Sequence, residues 1–324
     1  MSTKLPVILG WQLSDLHAWG IVGQEIFSHW TMHGKFSPVM LYPINDNDIR
    51  GLDNFKKYML MQSLQYSNEI STEIFKILSS DKNKIIDIHM PVIHALGNQL
   101  NGSGVNLNGI ANIGRAVFEY DNIADIENKI SIYDALIVPS EWNKSVLQSM
   151  TNKPVYLNHE GVDTSLFHPM PKSGLYDDDI FYVFSGGKIE HRKAQDLVLK
   201  AFQKFAQSKK DVKLVTAWQS YFSKTISKGY RGCLEFGLEV DDNSHANVKK
   251  WAFDNGVDPD KVVDLGQVPH HMMPSVFKEM DVSLQISRAE GGTNMMAMES
   301  MASGIPTLIS MSTGHLDISE YSNA

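Results

Sequence analysis

The run Val282-Ser-Leu-Gln-Ile286 is apolar. The segment Ser287–Pro306 then carries Glu-Gly-Gly-Thr-Asn ahead of a methionine-rich stretch, and Thr307-Leu-Ile-Ser310 is apolar again. Two short apolar runs around a glycine loop and one helix-length segment read as strand, loop, helix and strand. That order joins parallel strands through a crossover helix. Thr293 or Asn294 is placed to cap the helix, and Gly304 before Ile305-Pro306 to end it. A glycine loop opening into a helix presents free N–H groups and a positive dipole end, which suits a phosphate or clustered hydroxyls. Glu299 falls among Met295, Met296, Ala302 and Ser303, on the mostly apolar side of the helix. A carboxylate there needs a partner, because burying it bare costs several kcal/mol, roughly. That partner is either a ligand or a Lys or Arg at the edge of the core. Glu290 stands at the mouth of the loop, and Met295, Met296, Met298 and Met301 are expected to pack the core.

The rest of the chain repeats this alternation. Leu5–Gly10 reads as a strand, 20–34 as a helix with Val22, Ile26, Phe27 and Trp30 on one stripe, and Pro38–Tyr42 as a strand. Asn54–Ser79 follows as a helix. Lys84–Met90 reads as a strand ending at His89, 106–112 as a loop and Ile113–Tyr120 as a strand. Ala135–Val138, a helix capped by Ser140, and Pro154–Leu157 complete the first half. The segment 159–171 reads as a linker, and Asp177-Asp-Asp179 beyond it as a solvated acidic turn rather than a metal site. Ile180–Ser185, a helix over 194–206 with Leu197, Leu199, Ala201, Phe202 and Phe205 inward, strands at Val212–Thr216 and Val262–Leu265, and a helix over 272–280 lead to the glycine loop. Such alternation indicates parallel sheets covered by helices on both faces.

Composition narrows the partners. The 324 residues suit about two domains. With 37 acidic against 29 basic residues, the net charge of −8 argues against general nucleic-acid binding. One cysteine, Cys233, excludes an internal disulfide framework and fits a reducing compartment. No apolar run approaches the roughly 20 residues that span a bilayer, and the N-terminus meets Trp11, Gln12 and Asp15 too early for a signal peptide. The expectation is a cytoplasmic protein. Membrane association is not indicated, since no strongly basic amphipathic helix is evident.

The glycine loop and its two glutamates resemble the donor-site signature of retaining GT-B glycosyltransferases of family 4, the glycosyl transferases group 1. The glutamates stand one position further apart here than in the usual pattern. The resemblance covers most of the chain and implies two Rossmann-like parallel-sheet domains facing a cleft, over 1–168 and 169–324. Gly161, Val162, Asp163, Phe167 and Pro169 match the segment that joins them. It further implies that the second domain is incomplete, because a family member ordinarily continues past Thr313–Ile318.

The resemblance also distributes roles. Glu299 takes the ribose hydroxyls of a nucleotide-sugar donor, Glu290 faces the donor sugar, and Gly291, Gly292 and Thr293 supply backbone N–H groups. Lys188 and Lys193 match the cations that hold the diphosphate, with Arg192 a further cation close by. Lys188 stands where Arg is more frequent, keeping the charge but losing the bidentate fork. Fixed cations stabilise charge on a leaving diphosphate and substitute for a metal ion, so no metal or other cofactor is expected. In the first domain His89 contacts the transferring sugar, with His94 as a competing choice. Arg115 and Glu119 are acceptor-side candidates, and Trp19 and Gly20 approach the diphosphate and acceptor. The base would be read by backbone near Gly266-Gln-Val268. The implied function is metal-independent, retaining transfer of a sugar from a nucleoside-diphosphate sugar to a glycan, lipid or small-molecule acceptor. Two alternatives stay open. One is a sugar-nucleotide-binding protein with little turnover; the other is a glycan phosphorylase, which would carry pyridoxal phosphate on a lysine.

Overall fold

A computed structural model of the chain describes residues 4–81, 84–102, 106–218, 228–243 and 245–319. The chain separates into two compact units, Met1–Glu160 and Gly161–Ala324. The division falls ahead of the expected boundary at 168/169 because Phe167 is 1% exposed and packs into the core of the second unit with Tyr182, Phe184 and Phe277.

The first unit holds strands β1 (Leu5–Gly10), β2 (Phe36–Met40), β3 (Ile86–Ile88), β4 (Val92–Leu96), β5 (Leu107–Gly109), β6 (Asn112–Ala116), β7 (Ala135–Val138) and β8 (Val155–Leu157). Its helices are α1 (Ala18–Met32), α2 (Asn54–Ser80), α3 (Ile126–Ile130) and α4 (Glu141–Gln148). The main sheet runs β2-β1-β4-β6-β7-β8, and β3 and β5 pair apart from it; every pairing is parallel. Buried parallel strands want continuous apolar sequence on both faces, which Val7, Ile8 and Leu9 in β1 supply.

The strand expected over 84–90 is corrected. Its middle forms β3 in the two-stranded sheet, while the main-sheet strand is the next run, Val92-Ile-His-Ala-Leu96. The segment 106–112, expected as a loop, contains β5, and β6 is shorter than the strand expected over 113–120.

The second unit holds β9 (Phe181–Gly186), α5 (Gln195–Ser208), β10 (Val212–Ala217), α6 (Val248–Asp254), β11 (Val262–Asp264), α7 (Met273–Phe277), β12 (Val282–Gln285), α8 (Met295–Ala302), β13 (Thr307–Ile309) and α9 (Leu316–Ser319). One parallel sheet, β11-β10-β9-β12-β13, carries them. On α5 the buried stripe is Val198, Leu199 and Phe202. Leu197 and Ala201, expected inward, are exposed, because the stripe turns about Phe202. α8 qualifies the reading of the methionines: Met296 packs against the core of the second unit. Met295, Met296, Met298 and Met301 are only partly buried, and the face α8 buries is Ala297, Glu299 and Ser300. Ser300 is satisfied there by Ser283 Oγ at 3.0 Å and Met296 O at 2.8 Å. Asn294, not Thr293, caps α8, and Gly304 leaves it at φ +79°.

Candidate active site

In a parallel α/β sheet the loops at the carboxyl ends of the strands bind ligands. In the second unit two such loops meet. The loop after β9, 187–194, bears Lys188, Arg192 and Lys193; the loop after β12, 287–294, bears Glu290 and the glycines. They close on one carboxylate. Lys193 Nζ donates to Glu290 Oε1 at 2.7 Å and Oε2 at 2.9 Å, and Arg192 Nη1 donates to Oε2 at 2.8 Å. The Ser287 hydroxyl donates as well, and the Asn294 amide does so at 3.2 Å. Glu290 is 4% exposed. Burial alone would raise its carboxyl, but Lys193 and Arg192 outweigh that and hold it at about 2.

The backbone around this knot is strained. Ala194, Asn294 and Thr313 hold φ values of +57°, +63° and +49°, a region that side chains other than glycine's rarely enter. Such conformations cluster at functional sites, where the surrounding structure over-determines them. Here the enforcement is visible. Thr313 Oγ1 accepts the Glu290 N–H at 2.7 Å, Gly314 N donates to Glu290 O at 3.0 Å, and Asn294 Nδ2 lies 3.0 Å from Nε2 of the fully buried His315. A Cβ on Gly314 would sit 1.9 Å from the Gly292 carbonyl oxygen, so the turn 313–315 lies flat against the glycine loop. Gly291, Gly292 and Thr293 are buried, and the Thr293 hydroxyl faces Met298 Sδ at 3.3 Å.

Glu299 is buried one element deeper. Its Oε1 lies 2.7 Å from His270 Nε2, and the His270 ring packs on Phe167 with centroids 5.1 Å apart. Its protein partner is thus an imidazole rather than the lysine or arginine that stood as the alternative to a ligand. Burial pushes the Glu299 carboxyl up, and the hydrogen bond from His270 opposes it. Lys188 stands apart from the knot: its Nζ is 3.6 Å from Glu190 Oε2 and its side chain is 42% exposed. Asp177, Asp178 and Asp179 form an exposed turn in which Asp177 accepts the Asp179 N–H. Among the described residues no group of three or more His, Cys, Asp or Glu is placed to hold a metal ion.

In the first unit Arg115 and Trp19 come together. Arg115 lies over the Trp19 ring at 4.9 Å and pairs with Glu160 at 3.0 Å, both side chains 9% exposed. The structure places the other candidates of this unit as follows. His89 is exposed and leads into the amino end of β4, the edge opposite the carboxyl ends. His94 lies within β4 and turns back to Asn112 Oδ1 at 3.0 Å, so it packs the sheet. Gly20 lies inside α1, where its N–H is taken by His17 Nδ1 at 3.0 Å. Its hydrogen is required because a Cβ would fall 2.4 Å from Ser14. Glu119 lies past β6, its N–H donating to Asn98 Oδ1 at 2.8 Å.

Sequence reasoning missed Glu160, His270, Ser287 and the turn 313–315. Only Gly314, next to the signature's second strand, left a trace in composition.

Residues 169–320, nearly all of the second unit, match the family described as glycosyl transferases group 1. No curated protein matches the sequence. Among solved structures, sucrose-phosphate synthase from Thermosynechococcus elongatus superposes with a TM-score of 0.58 at 14% identity, covering 96% of this chain and 82% of its own. HepE of Anabaena, in complex with UDP and glucose, gives 0.55 at 12% identity, over 97% of this chain and 83% of its own. The α,α-trehalose 6-phosphate synthase of Burkholderia multivorans gives 0.53 at 10% identity, over 95% and 83%. At these identities the likeness is one of fold. The second unit thus matches the glycosyl transferases group 1 model, and the chain as a whole has the GT-B fold of these glycosyltransferases.

Proposed function

We propose that the chain transfers a sugar, with retention and without a metal, from a nucleoside-diphosphate sugar to a glycan, lipid or small-molecule acceptor. The observation that carries the reading is the convergence of Arg192 and Lys193 on one buried carboxylate at the carboxyl ends of β9 and β12. A site that holds an internal anion with two cations and two neutral donors has the charge and geometry to hold a diphosphate.

In this reading the donor's diphosphate takes Arg192 and Lys193, with Lys188 reaching its outer oxygens. The ribose hydroxyls donate to Glu299, which His270 orients. Glu290, released from the cations, faces the sugar. The glycosidic C–O bond breaks toward the diphosphate as the acceptor hydroxyl bonds the same carbon from the same face, and its proton passes to a diphosphate oxygen. Two fixed ammonium and guanidinium charges neutralise the leaving group, the work a divalent ion does elsewhere. Arg115 and Trp19 are the acceptor-side pair.

The test is a thermal-shift panel of UDP, GDP and ADP, followed by sugar release from the matching nucleotide glucose. UDP comes first because HepE holds it on the same fold. Stabilisation by one nucleotide with sugar release is expected. Binding without release would identify a binding protein, and stabilisation by none would sink the donor site.

A further inference from the structure

Two sets of links join the donor loops, and they differ in what a ligand does to them. The first set is the knot on Glu290, whose cations a diphosphate would claim. The second runs through Arg288. Its N–H donates to Arg192 O at 2.7 Å, and its Nη1 to His191 O at 2.6 Å. Its two terminal nitrogens also grip Asp196 in the first turn of α5, at 2.8 and 2.6 Å. Asp196 is fully buried, whereas the Arg288 side chain is 29% exposed. The Tyr230 hydroxyl and the Cys233 N–H, at 2.8 Å, complete the donors to Asp196. Gly232 permits this close approach: it sits at φ +55°, and a Cβ there would fall 2.1 Å from Asp196 Oδ2. Burial alone would raise the Asp196 carboxyl, yet Arg288, Tyr230 and Cys233 hold it far below the usual range.

We propose that Arg288 and Asp196 are a positioning pair, which keeps the cation loop and the glycine loop in register once a donor diphosphate has opened the Glu290 knot. The proposal rests on the donor-site reading above. Arg288 meets Arg192 at its backbone carbonyl, and the donors on Asp196 are Arg288, Tyr230 and Cys233 rather than the cations on Glu290, so the bidentate bond persists through the exchange of partners. A planar fork fixes both distance and angle, which a single ammonium does not. Register matters because a displacement of about 1 Å in groups that hold the reacting phosphate costs up to about a hundredfold in rate.

The experiment compares the native chain with Arg288→Lys, Asp196→Asn and Lys193→Ala. The readouts are melting temperature with and without UDP, GDP or ADP, and kcat and KM for release of glucose from the corresponding nucleotide sugar. Arg288→Lys is expected to fold, because the Glu290 knot still ties the unliganded loops. Its kcat should fall roughly tenfold to a hundredfold, its donor KM should rise, and its nucleotide-induced thermal shift should shrink. Asp196→Asn should follow; should it fail to fold, the partly exposed Arg288 position carries the test alone. A merely structural pair would lower the melting temperature and leave kcat and KM within about twofold of native. That outcome, with Lys193→Ala still inactive, overturns the pair and leaves the donor site standing. If Lys193→Ala also retains native turnover, the donor-site reading falls and the pair falls with it.

Discussion

The two units use the same parallel architecture and bury their charges in opposite ways. In the second unit Glu290 gathers donors from two loops, and Asp196, on α5, gathers them from the glycine loop and an irregular segment, so charges cross-link elements distant in sequence. In the first unit, among the described residues, Arg115 and Glu160 form a two-member, largely buried pair closed on one side by an indole. A saturated network exchanges partners when an anion arrives and keeps its desolvation satisfied. A two-member pair has no such reserve, and removing either member strands a buried charge. Under the proposed donor site, the network of the second unit can trade its internal anion for a ligand's, whereas the Arg115–Glu160 pair of the first keeps its partners.

Lys193→Ala should break the comparison most sharply. It is expected to lower nucleotide-sugar turnover about a hundredfold to a thousandfold, with loss of nucleotide-induced stabilisation, read by steady-state kinetics and thermal shift. Arg115→Met should do the reverse: a stability loss of about 3 kcal/mol in denaturant titration, from the uncompensated Glu160, with nucleotide affinity unchanged. An equal loss of nucleotide affinity would erase the distinction between the units.

Glu299→Gln should weaken nucleotide binding about tenfold in calorimetry, the worth of a hydrogen bond to a charged acceptor. The pH dependence sharpens the point. Burial holds the Glu299 carboxyl above its ordinary value, so on acidification it takes up a proton before exposed carboxylates do, while Glu290, held at about 2, stays ionised. Native affinity should fall as the pH is lowered, and Glu299→Gln should flatten that slope. Glu290 adds a stability effect that runs the same way with pH: its folded value lies below its unfolded one, so its contribution is present above the unfolded value and fades as the pH falls toward 2. The smallest expectation is His89→Ala, with turnover within about twofold of native, since the residue is exposed and leads into the amino end of β4, away from the carboxyl ends where such sheets bind ligands.

The same contrast governs what was legible in the sequence. Strands β1, β7 and β9 are nearly continuous apolar runs, and parallel pairing follows from their alternation with helices. β4 was hidden because Pro91 and His94 break its apolar run, and α6 because its buried Trp251 and Ala252 lie in a short helix without a long repeat. Lys193, Glu290 and Glu299 could be singled out because each lies in a local pattern of glycine, charge and helix start. Arg288 with Asp196, 92 residues apart, and Glu299 with His270, 29 apart, could not. Their pairing exists only once two strands lie side by side, and nothing in spacing encodes it.

The flat contact between Gly314 and the Gly292 carbonyl sets a rule for rebuilding this enzyme. Any graft of the 287–306 segment from a relative, made to change which sugar is accepted, must bring along the recipient-matched turn at 313–315. A bulkier residue at 314 would lever the transplanted loop away from its cations however well that loop suits its new substrate.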